Sequence, residues 1–70
     1  MAISEYETRF GTIAVDRGFI TAQQLKQAMG IQVTEELEIK EHRLIGQILF
    51  DLKMIKASHI EEVLSSMSIF

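Results

Sequence analysis

The sequence contains no cysteine and no proline. Without cysteine the chain can form neither a disulfide framework nor a thiolate metal site, and a reducing cytoplasm is the compartment that we expect. The segment MAISEYETRF carries acidic residues where a signal peptide needs a basic region and an apolar core. No apolar run approaches the roughly 20 residues that cross a bilayer. We therefore expect a cytoplasmic protein without membrane insertion.

Positive charge is also scarce, with seven Lys and Arg residues against ten Asp and Glu residues and a formal net charge of −3. Nucleic-acid binding depends on clustered Lys and Arg side chains, so we expect no nucleic-acid partner. The chain has 70 residues, of which 47% are apolar and 24% charged. This composition predicts one compact domain over 1–70, with modest stability because so short a chain buries only roughly 60% of its unfolded surface.

The stretch Arg9–Gln32, which reads RFGTIAVDRGFITAQQLKQAMGIQ, predicts a helix, a tight corner and a second helix. Apolar residues recur with helical spacing over 10–15 and again after Thr21. Gly18 lies where a helix ends with a left-handed residue, a conformation that glycine adopts without steric cost. Thr21 and Gln24 have the spacing of a capping box, in which each side chain hydrogen-bonds to the backbone N–H of the other residue.

The first helix carries an apolar stripe at three- and four-residue steps. The stripe consists of Ile3, Tyr6, Phe10 and Ile13. Two starts are open: Ser4 with Glu7 would cap the helix, or the helix begins nearer Arg9.

The second helix is predicted to run to about Lys40, through a glycine at Gly30 and several β-branched residues. Glycine in a helix interior costs about 1 kcal/mol relative to alanine. We therefore expect that the helix bends at Gly30 or that another backbone packs close against it. The charged run over 35–43 predicts the solvated end of this helix and its connection to the next.

The second half of the chain repeats the first at an offset of 35, with residues 10–29 aligned to residues 45–64 without a gap. Ten of these twenty positions are apolar in both copies, which is the pattern of a duplicated helix–corner–helix unit. The identical positions pair Gly11, Ile13, Asp16, Ile20 and Ala22 with Gly46, Ile48, Asp51, Ile55 and Ala57. The internal repeat spans 9–32 and 44–67.

In the second copy, a third helix is predicted over about Leu44–Leu52, followed by a corner at Lys53 and a fourth helix. The inward positions of the third helix are Ile45, Ile48, Leu49 and Leu52, and the fourth helix carries Ile60, Val63, Leu64 and Met67. Lys56 replaces the capping threonine, and Ser58 with Glu61 forms a capping box two residues later. We predict an all-α fold, a compact four-helix array of two duplicated helix–corner–helix units.

Two other helical folds fit the sequence less well. Tetratricopeptide arrays need at least three repeats and carry aromatic and proline signatures that this chain lacks. A helix-turn-helix DNA reader would place Glu35, Glu36 and Glu38 against phosphates and base edges, and would have Lys26 where a small residue is usual.

The sequence contains no pattern typical of a catalytic or metal site. His42 and His59 lie in different segments without a second histidine at i+4, so no zinc site is expected. The carboxylates form no pair isolated in apolar surroundings, and no nucleophile–base pair can be argued for Ser58. We expect a protein that is not an enzyme.

Arg9–Gln32 resembles a 24-residue motif of the N-terminal domains of type II secretion and type IV pilus assembly ATPases, RLGxxLVxxGxIxxxQLxxALxxQ in one-letter terms. The matching residues are Arg9, Gly11, Val15, Gly18, Ile20, Gln24, Leu25, Ala28 and Gln32, with Phe10, Ala14 and Met29 in place of leucine. In that bacterial family the motif occurs as a tandem pair, and some members bind cyclic di-GMP between the copies. The resemblance covers about residues 9–67.

The second copy departs from this motif. Leu44 stands in place of the motif arginine, Lys53 in place of the corner glycine and Met67 in place of the closing glutamine. A ligand site built from two equivalent arginine–glycine corners is therefore incomplete in this chain. The chain also has no GxxxxGK[ST] phosphate loop, so it is not itself the motor.

Two functions of different classes follow. We favour a non-catalytic protein-interaction or regulatory module, because the second motif is degenerate. Its partner would be another protein, such as a secretion or pilus component, docked in an apolar groove or on an exposed surface. That surface comprises Met29, Phe50, Ile69 and Phe70. We expect a monomer or a weak homodimer.

We expect no cofactor. The alternative function is a cyclic di-GMP receptor domain with a degenerate second motif, which would bind this ligand weakly. Its ligand-binding residues would be Arg9, Gly11, Gly18 and Gln32. Each has another interpretation: Arg9 pairs with Glu5, Gly11 serves close helix packing, which we favour, and Gln32 lies on the helix surface.

Overall fold

The structure is a computed structural model that describes residues 5–40 and 42–67. Within these ranges the chain forms four α-helices and one π-helical turn, and no strand. The elements are α1 Glu5–Asp16, α2 Ala22–Thr34, the π turn Glu35–Ile39, α3 Ile45–Asp51 and α4 Ala57–Met67. The prediction of an all-α fold with four helices is confirmed.

The core lies around α1, which packs against each of the other three α-helices. It is formed by apolar side chains from all four helices and both corners. These are Phe10, Ala14, Ile20, Ala28, Ile45, Ile48, Leu49, Ile55 and Val63. The inward positions predicted for α3 are confirmed at Ile45, Ile48 and Leu49. The prediction is wrong at Leu52, which is 41% exposed because it caps the helix at the corner and has turned away from the core.

Two helical glycines allow side chains from neighbouring helices to pack against the backbone. A Cβ atom on Gly11 would lie 2.5 Å from Cδ1 of Leu25, and one on Gly46 would lie 2.9 Å from Cζ of Phe10. Both distances are shorter than van der Waals contact. Close packing, the interpretation favoured for Gly11, is confirmed.

The two corners have the same hydrogen bonds. At the first, the Gly18 N–H donates to the Val15 carbonyl and the Phe19 N–H donates to the Ala14 carbonyl, at 2.9 and 3.0 Å. At the second, the Lys53 N–H donates to the Phe50 carbonyl and the Met54 N–H donates to the Leu49 carbonyl, both at 2.9 Å. This is the Schellman arrangement. Gly18 and Lys53 have φ angles of 76° and 63°, so both predicted corners are confirmed.

The helix starts are only partly as predicted. Thr21 and Gln24 form the capping box, with hydrogen bonds of 2.9 and 3.0 Å, and α2 begins at Ala22. The prediction of a capping box formed by Ser58 and Glu61 is wrong. α4 begins at Ala57, and the carbonyl of Lys56 accepts its first hydrogen bond, because the second corner reproduces the length of the first.

For α1, a start near Arg9 is wrong because the helix already includes Glu5. The proposed cap Ser4 lies outside the described residues, and so does Ile3 of the predicted stripe.

The second helix ends where the sequence predicts but is irregular at a different place. It continues as a regular α-helix through Gly30 to Thr34. The prediction that another backbone packs close against Gly30 is wrong. Nothing lies within 4 Å of a Cβ atom added there, and the residue faces solvent. The irregular part is the π turn, closed by a 2.7 Å bond from the Lys40 N–H to the Glu35 carbonyl.

Candidate protein-binding groove

An apolar groove of about 330 Å³ opens between α1, α3 and α4. Each of these three helices presents apolar side chains to the groove. Its lining consists of Tyr6, Glu7, Phe10, Leu44, Gly46, Gln47, Phe50, Ile60 and Leu64.

Large apolar side chains stand exposed along the rim of the groove. Tyr6 is 52% exposed, Leu44 49%, Phe50 47% and Leu64 38%. The floor is formed where the ring of Phe10 lies against the backbone of Gly46. The absence of a side chain at Gly46 therefore both admits Phe10 to the core and deepens the groove.

The carboxylate of Glu7 lies buried at the inner wall of the groove and caps α3 from a distant part of the chain. It is 4% exposed and accepts a hydrogen bond of 2.5 Å from the backbone N–H of Ile45. The N-cap residue Leu44 has no polar side chain, so α1 supplies the acceptor that the first turn of α3 lacks. A negative charge is also favourable at a helix N-terminus. This contact fixes α3 against α1 and thereby sets the width of the groove.

Arg43 links the π turn that precedes α3 to the last residue of α3. Its guanidinium donates to Glu35 through Nε at 3.0 Å and to Asp51 through Nη1 at 2.7 Å. The hydrogen bond from Arg43 holds the pKa of the Glu35 carboxyl below its ordinary value. The buried amide of Gln32 donates to the Arg43 carbonyl at 2.7 Å. The connection between α2 and α3 is therefore held by side chains on both sides.

The predicted ligand-binding residues occupy four different environments. Arg9 is exposed on α1 and forms no ion pair within residues 5–40 and 42–67, so the expected pair with Glu5 is not seen there. Gly11 is buried beneath Leu25, and Gly18 is exposed at the corner.

Gln32 is 1% exposed, so the prediction that it lies on the helix surface is wrong. Its Nε2 donates to the Arg43 carbonyl in the connection, and its Oε1 has no hydrogen-bond partner among the described atoms. A ligand-binding role for Arg9, Gly11, Gly18 and Gln32 stays a prediction.

Of the residues predicted to form an exposed docking surface, Phe50 is the one whose exposure is confirmed, and its docking role stays a prediction. Phe50 is exposed and lines the groove. The prediction is wrong at Met29, which is half-buried and packs against the core. Ile69 and Phe70 lie outside the described residues.

Sequence reasoning missed Glu7 and Leu44. A signal existed for Glu7, because it interrupts the apolar face that Tyr6 and Phe10 share on α1, and a carboxylate on such a face requires a buried partner.

Neither histidine shares a site with other metal-binding side chains. His42 contacts Glu36, and the ring of His59 stacks on Phe19 with centroids 4.0 Å apart. In the described part of the chain, no group of three or more His, Asp or Glu side chains could hold a metal ion. Over the same ranges, every helix is too short or too polar to span a bilayer.

No protein-family model, curated protein or solved structure matches this chain. The resemblance to the assembly ATPase domains therefore rests on the motif residues alone.

Proposed function

We propose that the protein is a non-catalytic docking module whose apolar groove binds the apolar face of an amphipathic helix from another protein. The rim of exposed Tyr6, Leu44, Phe50 and Leu64 around this groove is the observation that carries the proposal. Contiguous exposed apolar surface bounded by polar residues is typical of interaction sites. The laying of an amphipathic helix into such a groove is a recurring mode of peptide recognition.

The size of the groove favours a helical segment over a whole folded domain. A stable protein–protein interface buries about 800 Å² on each partner, which is about a sixth of the 4706 Å² of accessible surface of the chain. The exposed fractions of the four rim residues add up to less than the full exposure of two residues. A helix of a few turns, with two or three large apolar side chains, matches the available surface.

The resemblance to secretion and pilus assembly ATPases supports a cytoplasmic setting in which the partner is a component of such a machine. On this proposal the groove positions a partner and performs no reaction.

The test uses the tyrosine of the protein as its reporter. Tyr6 is the single tyrosine in a chain without tryptophan, and it stands on the groove rim. A synthetic amphipathic peptide with leucines at i, i+3, i+4 and i+7 and no aromatic residue should change the Tyr6 emission in a saturable manner. A permuted peptide of the same composition without an apolar face should not.

Two matched leucine variants locate the binding. Leu44→Gln removes a rim side chain and should weaken peptide binding by about tenfold or more, since a large apolar contact is worth roughly 1.5–3 kcal/mol. Leu37→Gln makes the same change at a 63% exposed residue on the π turn and should leave binding unchanged. Equal effects of the two variants, or no binding of the amphipathic peptide, would contradict the proposal.

A further inference from the structure

We infer that the helix bound in the groove is acidic at the end that passes Phe50, where Lys53 and Lys56 would meet its carboxylates. This inference rests on the proposed function and names the chemistry of the partner.

The apolar surface continues past Phe50 into a second, shallower depression. Phe50 lines both depressions and therefore joins them. The second depression is lined by Phe50, Asp51, Lys53, Ile55, Lys56 and Ala57. A helix that follows the groove from Tyr6 past Phe50 reaches the two lysines.

The charges around this end leave the lysines available to a partner. Lys53 and Lys56 are exposed, and neither forms an ion pair with any residue in 5–40 or 42–67. Asp51, the acidic residue in the same depression, is already bound by Arg43 at 2.7 Å.

The remaining charges near the groove do not favour an anion elsewhere. Glu5 and Arg9, which do not line the groove, are both exposed on α1, and their opposite charges offset each other. Glu61 lines a different depression, beside Arg17 and Ser66. The groove therefore has one cationic end although the whole chain carries a net charge of −3.

Both lysines stand at positions where the fold itself prefers another residue. Lys53 has a φ of 63° at a corner where the first copy has Gly18. Lys56 is the N-cap of α4, where the first copy has Thr21, and a cation at a helix N-terminus opposes the helix dipole. Two departures from local preference three residues apart, at side chains that form no ion pair with the described residues, are characteristic of a functional surface.

This conflict with local preference permits a variant that removes the charge without harming the fold. In Lys53→Gly/Lys56→Asp, the glycine suits the left-handed corner and the aspartate suits the N-cap, so the variant should be at least as stable as the parent. Lys40→Gly/Lys26→Glu is the matched control. Lys40 also has a positive φ, of 65°, Lys26 is exposed on α2, and the loss of charge is the same.

The experiment compares two aromatic-free amphipathic peptides that differ only at one end, where the first carries glutamates and the second glutamines. Calorimetric titration at low salt should give a dissociation constant about threefold to tenfold lower for the acidic peptide, as expected for two solvated ion pairs. The preference should disappear in Lys53→Gly/Lys56→Asp, persist in Lys40→Gly/Lys26→Glu and fade at high salt.

The two proposals fail in different ways. If both peptides bind the parent protein equally and Leu44→Gln weakens both, the inference about charge is overturned and the docking function stands. If the acidic preference persists in Lys53→Gly/Lys56→Asp, the lysines are not its source and the inference is also overturned. If neither peptide binds, the docking function itself is contradicted.

Discussion

Lys53 illustrates at the scale of single residues how a corner can form without its preferred amino acid. It adopts the left-handed conformation that Gly18 adopts in the first copy, although such a conformation costs a non-glycine residue roughly 1–2 kcal/mol. The two Schellman hydrogen bonds, from Lys53 and Met54, hold the strained backbone in place. The strain at Lys53 is therefore offset by these two local hydrogen bonds rather than avoided.

This difference predicts opposite effects of substitution at the two corners. Gly18→Val should destabilise the protein by more than about 1 kcal/mol, because a β-branched residue is poorly tolerated at positive φ. The open space around Gly18 makes backbone conformation, and not a clash, the cause. Lys53→Gly should be neutral or stabilising in urea unfolding. If Lys53→Gly unfolds the domain, the alignment of the two copies is wrong.

Arg9 allows a test of the alternative ligand. Cyclic di-GMP is two-fold symmetric, and the chain presents a motif arginine in one copy only, with Leu44 at the other position. Loss of one charge-assisted contact costs on the order of 1.5–3 kcal/mol, or about tenfold to a hundredfold in affinity. We therefore expect weak binding or none in a titration followed by amide chemical shifts. Any shifts should be larger around Arg9 and Gly18 than around Leu44 and Lys53, and Arg9→Ala should abolish them. Sub-micromolar binding that survives Arg9→Ala would contradict this expectation.

Residue roles were predictable from sequence where both partners lie within a few positions. Gly18 and the Thr21–Gln24 capping box are examples, because their hydrogen bonds close over three to five residues. The partners of Glu7 and Gln32 were not predictable, because they lie 38 and 11 residues away along the chain. Their roles arise only when the helices come together.

At the scale of elements, α3 depends on the rest of the molecule more than the other helices do. It is a single short helix, Ile45–Asp51, and isolated helices of this length do not form in water. Glu7 caps its first turn, and Arg43 connects its last residue, Asp51, to Glu35. Sequence predicted that the helix exists but not that side chains from other elements hold it at both ends.

The connection before α3 should make stability depend on pH. Because Arg43 lowers the pKa of Glu35 in the folded protein, the unfolded chain binds more protons in the range just below the ordinary value of 4.5. The stabilisation from this pair is therefore complete above pH 4.5 and is lost as the pH falls through the lowered pKa. Urea midpoints measured between about pH 6 and pH 3 should decrease accordingly.

Two variants assign this pH dependence to the pair. Glu35→Gln removes the titrating group, and Arg43→Gln removes the hydrogen bond that lowers its pKa, so each should reduce the loss of stability on acidification. An unchanged acid profile in both variants would show that the pair is not the source.

At the scale of the whole molecule, the all-α fold followed from the repeated apolar stripe, whereas the groove did not. The stripe indicates the inward face of each helix, because that depends on helical spacing, although its members Tyr6 and Leu52 are exposed. The groove depends on how α1 packs against α3 and α4. The angle and distance between these helices are set by Glu7 and by the contact of Phe10 with Gly46. The spacing of apolar residues does not show which partner either contact has.

The central claim, that the groove between α1, α3 and α4 is the docking site, is tested most directly by mapping where an amphipathic helix binds. Amide chemical shifts recorded during titration with the neutral leucine-faced peptide report every backbone position at once. The account predicts that the largest changes cluster on both sides of the groove, at Tyr6, Gly46, Gln47 and Phe50. Largest changes instead along the exposed Gly30 face of α2 or at the Gly18 corner would contradict it.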